Sequence, residues 1–479
     1  MKLSALCEDL REKRLLGGDT EILSLCTDSR IAGKGDLFFC FRGTHEDAHD
    51  YAAEAWRRGA AAIVCERELE VGCPQVIVPN GRRAMALISS AFYDHPQRRL
   101  QIIGVTGTNG KTTTVQMIEA ILSECGRKVG IIGTLGARYA QKTIAPDLTT
   151  PDPVYLFSLL ADMVAGGVDT VAMEVSAHAL ALEKECPLVY DVGIFTNLTQ
   201  DHLDFFGDMT AYGEAKRTMF SPKRCRFAVL NADDPFSDSL VCGEEYQKYG
   251  LENPADCFAL VESETVRGSR AMFNLNDELV EVQIKLTGRH NIYNALAAAC
   301  ACRRLGASGE QIARGIANCE RVEGRLEFVS SFRGGSIFVD FAHTPDGLKK
   351  SLSALKEHTT GRLILLFGCG GNRDQGKRPL MGEVAAKLCD FAVITSDNPR
   401  YEDPCEIIAQ IEKGYAALSK NYVAIEDREK ATLYALGQLS SGDVLLVAGK
   451  GGETTQEIMG IKYSYNDKAV IKNAIGKLT

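Results

Sequence analysis

The stretch Ile102-Ile-Gly-Val-Thr-Gly-Thr-Asn-Gly-Lys-Thr-Thr113 decides how the rest of the chain is interpreted. The apolar run at residues 100–105 predicts a buried parallel strand, and a helical pattern follows over residues 112–126. A strand, a glycine-containing loop and a helix in this order are the context of a phosphate-binding loop. Gly107 and Gly110 allow backbone N–H groups to turn toward a phosphate, and the helix N-terminus favours the anion. The stretch therefore predicts a nucleotide phosphate site.

The side chains at the end of this stretch indicate which nucleotide binds. Lys111 would reach the β- and γ-phosphates, and the Thr112 hydroxyl would face Mg²⁺. The spacing departs from the common G-x-x-x-x-G-K-[ST] pattern, whether it is counted from Gly104 or from Gly107. The alternative is a glycine-rich turn that binds nothing, but the flanking strand and helix disfavour it. We therefore predict an ATP site.

Length and composition exclude several classes of protein. A chain of 479 residues is too long for one core, and about two to four domains are expected. A net charge of −9 disfavours general binding to nucleic acid. Acidic residues interrupt the N-terminal segment too early for a signal peptide, and no apolar run approaches the roughly 18 residues that cross a bilayer. We expect a cytoplasmic protein without a nucleic-acid or membrane partner.

The cysteine pattern fits that expectation. The chain has 16 cysteines, and no pair of them has C-x-x-C spacing. Many lie inside apolar segments, where cysteine behaves as a small hydrophobic residue. Free, mostly buried thiols are therefore predicted rather than disulfides or a metal site.

Alternating strand and helix patterns predict an α/β fold with three domains. Residues 1–98 form a small α/β domain, 99–325 a central P-loop domain with a mostly parallel sheet, and 326–479 a Rossmann-like domain with five strands. The third domain lacks G-x-G-x-x-G at its first turn, so a nicotinamide cofactor is not expected.

Polar residues at predicted strand ends suggest metal chemistry. Ligands of parallel sheets collect at the carboxyl ends of the strands, and Glu174 and His202 each follow such a strand. A carboxylate and an imidazole near a phosphate loop are reasonable Mg²⁺ ligands, whereas a surface or capping role is the alternative for each residue alone. Composition gives no reason to choose Lys216, because a cation is not a metal ligand.

Ten motifs occur in a fixed order along the chain. They are Thr27-Asp-Ser-Arg30, Gly107-Thr-Asn-Gly-Lys-Thr-Thr113, Thr149-Thr-Pro151, Glu174-Val-Ser176, Thr196-Asn-Leu-Thr-Gln-Asp-His-Leu-Asp204, Ala215-Lys216, Gly324-Arg325, Val339-Asp-Phe-Ala-His-Thr-Pro-Asp346, Gly368-Cys-Gly-Gly371 and Asp397-Asn-Pro-Arg400. Together they resemble the motifs of the Mur ligases of peptidoglycan synthesis. The resemblance is strongest to members that add 2,6-diaminopimelate.

The resemblance implies an ATP-dependent amide ligase that acts as a monomer. Its substrates would be ATP, meso-diaminopimelate and the UDP-N-acetylmuramoyl-dipeptide UDP-N-acetylmuramoyl-L-alanyl-D-glutamate. The first domain would hold the UDP-sugar, the second ATP and the third the amino acid. A carboxylate of the peptide stem would take the γ-phosphoryl group, and the amine would then attack the acyl phosphate.

The resemblance also assigns residues to these roles. The residues implied for ATP are Gly107, Thr108, Asn109, Gly110, Lys111, Thr112, Thr113, Asn291, Asn294, Arg325, Asp340 and His343. Lys111 is also implied in catalysis, together with the implied Mg²⁺ ligands Thr112, Glu174, His202 and Lys216, the last as a carbamate. Those implied for the UDP-sugar-peptide are Ser29, Thr44, His45, Thr149, Thr150, Ser176 and Lys184. Those implied for the amino acid are Arg373, Asp397, Asn398, Pro399, Arg400, Gly449 and Glu453.

The chain departs from the family pattern at two places. The usual Gly-Lys-Gly-His-Glu has Gly452 in place of histidine, and Leu182 and Lys184 replace a usual glutamine and arginine. The second change leaves open how the stem carboxylate is held, because lysine lacks the planar fork of arginine.

Alternatives remain for the amino acid and for the reaction. L-Lysine competes with diaminopimelate, whose distal carboxylate would pair with Arg400 while Glu453 receives the distal ammonium. Arg400 could instead only brace its loop through Asp397 or Asp403. A folylpolyglutamate-type synthetase shares the chemistry, although the 98 residues before the phosphate loop disfavour it. A regulatory NTPase that forms no bond is a further class.

Overall fold

The computed structural model describes residues 1–43, 46–146, 148–240 and 245–478. The chain divides into two units that alternate along the sequence. The first unit contains Met1–Thr106, Arg127–Gly193 and Ala215–Phe227, and the second contains Gly107–Gly126, Ile194–Glu214 and Ala228–Thr479. The predicted α/β class is confirmed, whereas the domain limits predicted at residues 98 and 325 stay predictions.

The N-terminal part of the first unit is a small sheet with helices. Its elements are α1 (Leu3–Leu6), β1 (Arg14–Leu16), β2 (Ser24–Cys26), β3 (Asp36–Phe39), α2 (Ala52–Arg58), β4 (Ala62–Cys65), β5 (Gln75–Ile77) and α3 (Gly81–Phe92). The strand order is β1-β5-β4-β3-β2, and only β1 is antiparallel to its neighbour. Strands β3 and β4 are wholly buried, as expected for a parallel sheet covered on both faces. The sequence analysis missed the short and mostly exposed β1.

The elements that follow along the chain carry the phosphate loop, and those within Gly107–Gly126, within Ile194–Glu214 and from Ala228 onward lie in the second unit. They are β6 (Gln101–Thr106), α4 (Lys111–Glu124), β7 (Val129–Gly133), β8 (Gly136–Tyr139), β9 (Lys142–Ile144), α5 (Pro153–Ala165), β10 (Thr170–Glu174), α6 (Ala177–Ala181), β11 (Val192–Phe195), α7 (Leu203–Phe206), α8 (Met209–Arg217) and β12 (Ala228–Asn231). Strand β10 pairs in parallel with β6 and β7, so their carboxyl ends lie at one edge. Strands β8 and β9 extend β7 in antiparallel fashion and were not predicted.

The second unit continues with a meander and two helices. Its next elements are β13 (Tyr246–Gly250), β14 (Cys257–Thr265), β15 (Gly268–Leu275), β16 (Glu278–Ile284), α9 (His290–Arg304) and α10 (Gly309–Asn318). Strand β15 pairs in antiparallel fashion with both β14 and β16. Helix α10 packs closely on α4, since a Cβ at Gly315 would lie 2.4 Å from the Ile121 Cα.

The C-terminal part of the second unit is a six-stranded sheet with helices. Its elements are β17 (Glu327–Phe332), β18 (Gly335–Asp340), α11 (Pro345–Lys356), β19 (Leu363–Phe367), α12 (Lys377–Leu388), β20 (Phe391–Ile394), α13 (Pro404–Ala416), β21 (Tyr422–Ala424), α14 (Arg428–Gly437), β22 (Val444–Ala448), β23 (Thr455–Ile458), β24 (Ile461–Ser464) and α15 (Asp467–Leu478). The order is β17-β18-β22-β19-β20-β21, with β17 alone antiparallel. All five predicted strands are present. Strand β17 and the separate β23–β24 hairpin were missed.

Two further expectations can be compared with the described part of the chain. Its cysteines are all free, and Cys405 is the exposed one among them. None of its helices is long and apolar enough to span a membrane.

Candidate functional site

The phosphate loop between β6 and α4 requires glycine at two positions. Gly107 and Gly110 have φ angles of 147° and 91°, which L side chains rarely adopt. Space is also lacking, because a Cβ at Gly107 would lie 1.9 Å from Thr196 Oγ1 and one at Gly110 would lie 2.4 Å from Asn294 Oδ1. The loop is therefore shaped by the segments that surround it.

The segment after β11 fixes the backbone of this loop. Asn197 accepts a hydrogen bond from the Asn109 N–H at 3.0 Å and donates to the Asn109 carbonyl at 3.1 Å. Thr196 Oγ1 donates to the same carbonyl at 2.6 Å, and the Thr108 N–H donates to the Asn197 carbonyl at 2.8 Å. Such a pre-shaped backbone can receive phosphate oxygens without reorganising.

Two cationic side chains, those of Lys111 and Arg325, lie at the loop. Lys111 Nζ donates to the carbonyls of Gly107 and Thr108, both at 2.8 Å. Arg325 Nη2 donates to Thr112 Oγ1 at 2.8 Å, and its guanidinium stacks 4.3 Å from the centre of the Phe341 ring. The structure thus brings Arg325 to the start of α4 from more than 200 positions along the chain.

The two predicted asparagines of α9 also lie beside the start of α4. Asn294 Nδ2 donates to Asn291 Oδ1 at 2.9 Å, and Thr114 Oγ1 donates to Asn294 Oδ1 at 3.5 Å. Both asparagines are buried, as are Thr112 and Thr113 in the first turn of α4. Sequence reasoning missed Thr114, whose contact depends on a residue 180 positions away.

Asp340 and His343, at the end of β18, are held mainly by their own loop. Asp340 Oδ1 accepts from the N–H groups of Leu326 at 3.1 Å and Phe341 at 2.8 Å, and Ser351 Oγ donates to its other oxygen. His343 Nδ1 lies 2.9 Å from the Phe341 carbonyl. Asp340 therefore fixes the backbone next to Arg325.

Asp201 is a charged centre that the sequence analysis did not assign. Its carboxylate lies 3.2 Å from Lys377 Nζ, 3.6 Å from His343 Nε2 and 3.3 Å from His202 Nε2. Asp201 is only 4% exposed. Burial would raise the pKa of Asp201, but the contact with His343 and the charge of Lys377 hold this pKa well below its usual range. The ion pair between Asp201 and Lys377 thereby connects the segment before α7 to the start of α12.

The predicted metal ligands are divided between the two units. Glu174 is buried at the end of β10, where it accepts from the Thr134 N–H at 2.8 Å and from the Thr134 hydroxyl at 3.0 Å. Lys216 is 1% exposed in the last turn of α8. His202, at the start of α7, and Thr112 belong to the second unit. Their joint role as Mg²⁺ ligands stays a prediction.

Within the described ranges, no group of three or more His, Cys, Asp or Glu side chains is placed to hold a metal ion. The buried Glu174 carboxylate nevertheless fits a hard cation, because two hydrogen bonds orient it and leave lone pairs on both oxygens. A carbamate on Lys216 would supply a second carboxylate-like ligand.

Several residues predicted for the sugar-peptide cluster beside Glu174. Thr150 Oγ1 donates to the Glu174 carbonyl at 3.0 Å and accepts from the Ser176 N–H at 2.9 Å. Thr149 Oγ1 lies 3.2 Å from the Thr134 hydroxyl. Ser29 is buried after β2, while Thr44 and His45 lie outside the described residues.

Lys184, the residue that replaces the usual arginine, has an anionic partner. Its Nζ lies 2.6 Å from the Asp152 carboxylate, and its side chain is 12% exposed. The neighbouring Glu183 pairs with Arg83 at 2.7 Å and accepts from Asn80 Nδ2 at 2.9 Å. The segment after α6 is thus fixed to α3, which places Lys184 in a defined position.

The predicted amino-acid residues lie on loops at the carboxyl ends of β19, β20 and β22. Arg400 has a φ of 53°, and its Nη1 donates to the Gly371 carbonyl at 2.7 Å. Its Nε lies 3.3 Å from Glu457 Oε2. Asp397 and Asp403 were the partners expected if Arg400 only braced its loop. Asp403 instead caps α13, and Asp397 lies near Arg428.

The motif before Arg400 also contacts the last loop. Asn398 Nδ2 donates to Glu453 Oε2 at 2.9 Å, and Lys450 Nζ donates to the same oxygen at 3.0 Å. A Cβ at Gly449 would lie 2.5 Å from Asp397 Oδ2. Glu453 is therefore held in place although Gly452 replaces the usual histidine.

A second guanidinium lies near Arg400. Burial and the positive charge of Arg400 lower the pKa of Arg373, as expected where two cations lie close together. The Pro399 carbonyl packs directly against Gly371, where an added Cβ would lie 1.9 Å from the carbonyl oxygen. A Cβ at Gly370 would lie 2.9 Å from Arg400 Nη1 and 3.8 Å from Arg373 Cγ, so both cationic side chains flank Gly370 and offer positive charge to a carboxylate.

A buried ion pair stabilises the two loops that follow β20 and β22. The fully buried Arg428 forms two hydrogen bonds of 2.9 Å with Asp467. Its remaining N–H groups reach the Ser396 carbonyl at 3.3 Å and the Ala448 carbonyl at 2.9 Å, directly before the two loops. Arg428 therefore sets the spacing between the two loops.

Comparison with known proteins gives consistent matches over the whole chain. A family profile described as the Mur ligase middle domain matches residues 105–302, and one described as the Mur ligase glutamate ligase domain matches residues 324–451. A UDP-N-acetylmuramoyl-L-alanyl-D-glutamate–2,6-diaminopimelate ligase of Geobacillus kaustophilus (strain HTA426) is 44% identical over 96% of both chains.

Two solved structures extend this similarity to the fold. One is a UDP-N-acetylmuramoyl-L-alanyl-D-glutamate–2,6-diaminopimelate ligase with 29% identity and a TM-score of 0.67, covering 95% of each chain. The other is a folylpolyglutamate synthase of Mycobacterium tuberculosis, complexed with ADP and AMPPCP, with 17% identity and a TM-score of 0.64. It covers 77% of this chain and 92% of its own, and at this identity it supports the fold alone.

Proposed function

The chain belongs to the Mur ligase family and is an ATP-dependent ligase; from this premise we propose that it adds meso-2,6-diaminopimelate to UDP-N-acetylmuramoyl-L-alanyl-D-glutamate. The observation that carries this assignment is the guanidinium of Arg400, which Gly371 and Glu457 fix beside Arg373. The names of the similar ligases support the same substrates. A cytoplasmic location and a monomeric state belong to this proposal.

The phosphate loop performs the first chemical step in this proposal. Lys111 neutralises the β- and γ-phosphate oxygens, on which charge develops during transfer. The γ-phosphoryl group moves to the stem carboxylate of the UDP-sugar-peptide, and ADP leaves. Arg325, held at Thr112, adds a second positive group at the nucleotide.

The residues that would hold magnesium are Glu174 and a carbamate on Lys216 in the first unit and Thr112 and His202 in the second, and the ion would neutralise phosphate charge. The protein residues do the rest of the positioning. Lys184 lies beside Asp152 at the sugar-peptide residues, and it would hold the stem carboxylate as a point charge. The Asn197 and Thr196 side chains keep the loop backbone in place while the phosphoryl group departs.

The amino acid attacks in the second step. Its amine displaces phosphate from the acyl phosphate, so that one C–N bond forms and one C–O bond breaks. Arg400 and Arg373 would bind the distal carboxylate of diaminopimelate, and the Glu453 carboxylate, fixed by Asn398 and Lys450, would receive the distal ammonium. Orientation of the attacking amine accounts for much of the rate.

A phosphate-release assay tests this proposal. We expect release only when ATP, the UDP-sugar-dipeptide and meso-diaminopimelate are all present, and much less with L-lysine. Lys111→Ala should lower kcat by at least about 10²-fold, as removal of a charge stabiliser does. Lys128→Ala, at an exposed lysine after α4, is the control and should keep activity.

Other outcomes distinguish the alternatives. Phosphate release from ATP alone indicates a regulatory NTPase, and release with a folate and glutamate indicates a folylpolyglutamate-type synthetase. Equal rates with lysine and diaminopimelate contradict the amino-acid assignment while leaving the ligase intact.

A further inference from the structure

Arg400 has a backbone conformation that its surroundings must enforce. Its φ of 53° lies in the left-handed region, which is strained for a non-glycine residue. The Arg400 N–H donates to the Glu457 carbonyl at 3.1 Å, and the Met459 N–H donates to the Arg400 carbonyl at 2.6 Å. The β23–β24 hairpin therefore holds the Arg400 backbone on both sides.

The same hairpin also holds the Arg400 side chain. Glu457 Oε2 lies 3.3 Å from Arg400 Nε, and both side chains are about one quarter exposed or less, at 26% and 21%. Nη1 donates to the Gly371 carbonyl at 2.7 Å. Among the described residues, no partner accepts a hydrogen bond from Nη2. Two contacts thus fix the plane of the guanidinium and leave one terminal nitrogen available.

Two further contacts connect the hairpin to the Asp397–Arg400 loop. Gln456 Nε2 donates to the Asp397 carbonyl at 2.7 Å, and the Glu457 N–H donates to Asn398 Oδ1 at 3.0 Å. Glu457 is thus the one residue of β23 whose backbone and side chain both reach Arg400. Its negative charge also opposes the mutual repulsion of Arg400 and Arg373.

We propose that Glu457 is a positioning residue for amino-acid specificity: it orients the Arg400 guanidinium toward the distal carboxylate of the incoming amino acid. This inference rests on the proposed function, because it takes Arg400 as the group that recognises that carboxylate. Orientation by the Nε contact keeps Nη2 pointed at the ligand instead of leaving the long side chain to sample other rotamers. The β23–β24 hairpin then contributes to amino-acid specificity through Glu457.

Glu457→Ala and Glu457→Gln separate orientation from other effects. The alanine variant should raise KM for diaminopimelate about 10-fold, with kcat changed much less, because an unoriented cation binds the carboxylate less well. The glutamine side-chain oxygen keeps a polar contact with Nε at the same place, so Glu457→Gln should stay within about 3-fold of the unmodified enzyme. KM for ATP should be unchanged in both variants. Glu310→Ala is the control, because Glu310 pairs with Arg314 on the exposed face of α10.

Each result either supports or overturns the inference. Equal losses in the alanine and glutamine variants overturn it, and so does an unchanged KM for diaminopimelate in the alanine variant. The unmodified enzyme is measured first with diaminopimelate, so that a missing reaction there counts against the proposed function. If the reaction is present and only the Glu457 variants behave otherwise than expected, the positioning role alone is wrong.

Discussion

Arg325 Nη2 donates a hydrogen bond of 2.8 Å to Thr112 Oγ1, in the first turn of the helix that follows the phosphate loop. The guanidinium also stacks on Phe341, so that two contacts fix its plane. A residue 213 positions away in sequence thus contributes a positive charge to the start of α4. The nucleotide site therefore combines residues that lie before and after β16 in the sequence.

The first prediction follows from this contact. Arg325→Ala should raise KM for ATP about 10-fold or more, because a charged hydrogen bond contributes roughly 1.5–3 kcal/mol. Arg325→Lys should restore only part of the loss, since lysine lacks the planar fork that stacks on Phe341. Steady-state kinetics with varied ATP measure the effect. Arg321→Ala, at an exposed arginine of the same segment, is the control, and an equal effect there would contradict the prediction.

The second prediction concerns Lys216, which is only 1% exposed. If this lysine carries a carbamate, Lys216→Ala should inactivate the enzyme, and formate or acetate should restore part of the activity by occupying the vacated position. Labelling with ¹³CO₂ and NMR should show a carbamate signal that the variant lacks. Lys223→Ala, at an exposed lysine, is the control. An active Lys216→Ala variant would contradict the assignment of a carbamate to Lys216.

The third prediction concerns pH and His290, the first residue of α9. Burial lowers the pKa of His290 to about 4, while the unfolded chain has a value near 6.5. The histidine is neutral in the folded state, so its contribution to stability is present above pH 6.5 and is lost as the pH falls toward 4. At pH 5 the loss should be about 1–2 kcal/mol.

Urea unfolding at pH 7.5 and pH 5 measures this effect. The unmodified protein should lose more stability between the two pH values than His290→Gln, which stays neutral in both states. His358→Gln, at a half-buried histidine after α11, is the control. Identical pH dependence in the unmodified protein and in His290→Gln contradicts the prediction.

How much of the fold could be predicted depended on the local pattern of each segment. Strands Thr170–Glu174 and Leu363–Phe367 are wholly buried and mostly apolar, and such runs show in the sequence. The exposed strand Ile461–Ser464 and its partner Thr455–Ile458 were missed, because neither has a buried face that shows in the sequence. Exposed hairpins are specified by turn and partner contacts rather than by hydrophobic period.

The site shows the same division between local and distant information. The phosphate loop was predictable because its glycines, lysine and threonine are adjacent in sequence. The contacts of Asp201 with Lys377 and His343 join residues 176 and 142 positions apart, respectively, so no spacing indicates them. The role of Glu457 was not predicted for the same reason, since only the fold brings this residue to Arg400. Residues that position others were thus the ones missed.

The last prediction concerns the choice between diaminopimelate and L-lysine. Diaminopimelate ends in a carboxylate and an ammonium, whereas lysine presents the ammonium alone. A guanidinium fixed by Gly371 and Glu457 binds that carboxylate, but beside lysine it would face a second cation with no anion between them. A site with buried polar groups can reject an analogue that lacks their partner by up to about 10⁴-fold. We therefore expect kcat/KM for diaminopimelate to exceed that for lysine by several orders of magnitude. Arg400→Ala should lose most of this preference while KM for ATP stays within about 2-fold, because the polar contacts of the side chain with described residues are to Gly371 and Glu457. Arg333→Ala, at an exposed arginine before β18, is the control and should keep the preference. Equal kcat/KM values for the two amino acids in the unmodified enzyme would show that Arg400 braces its loop and does not select the substrate.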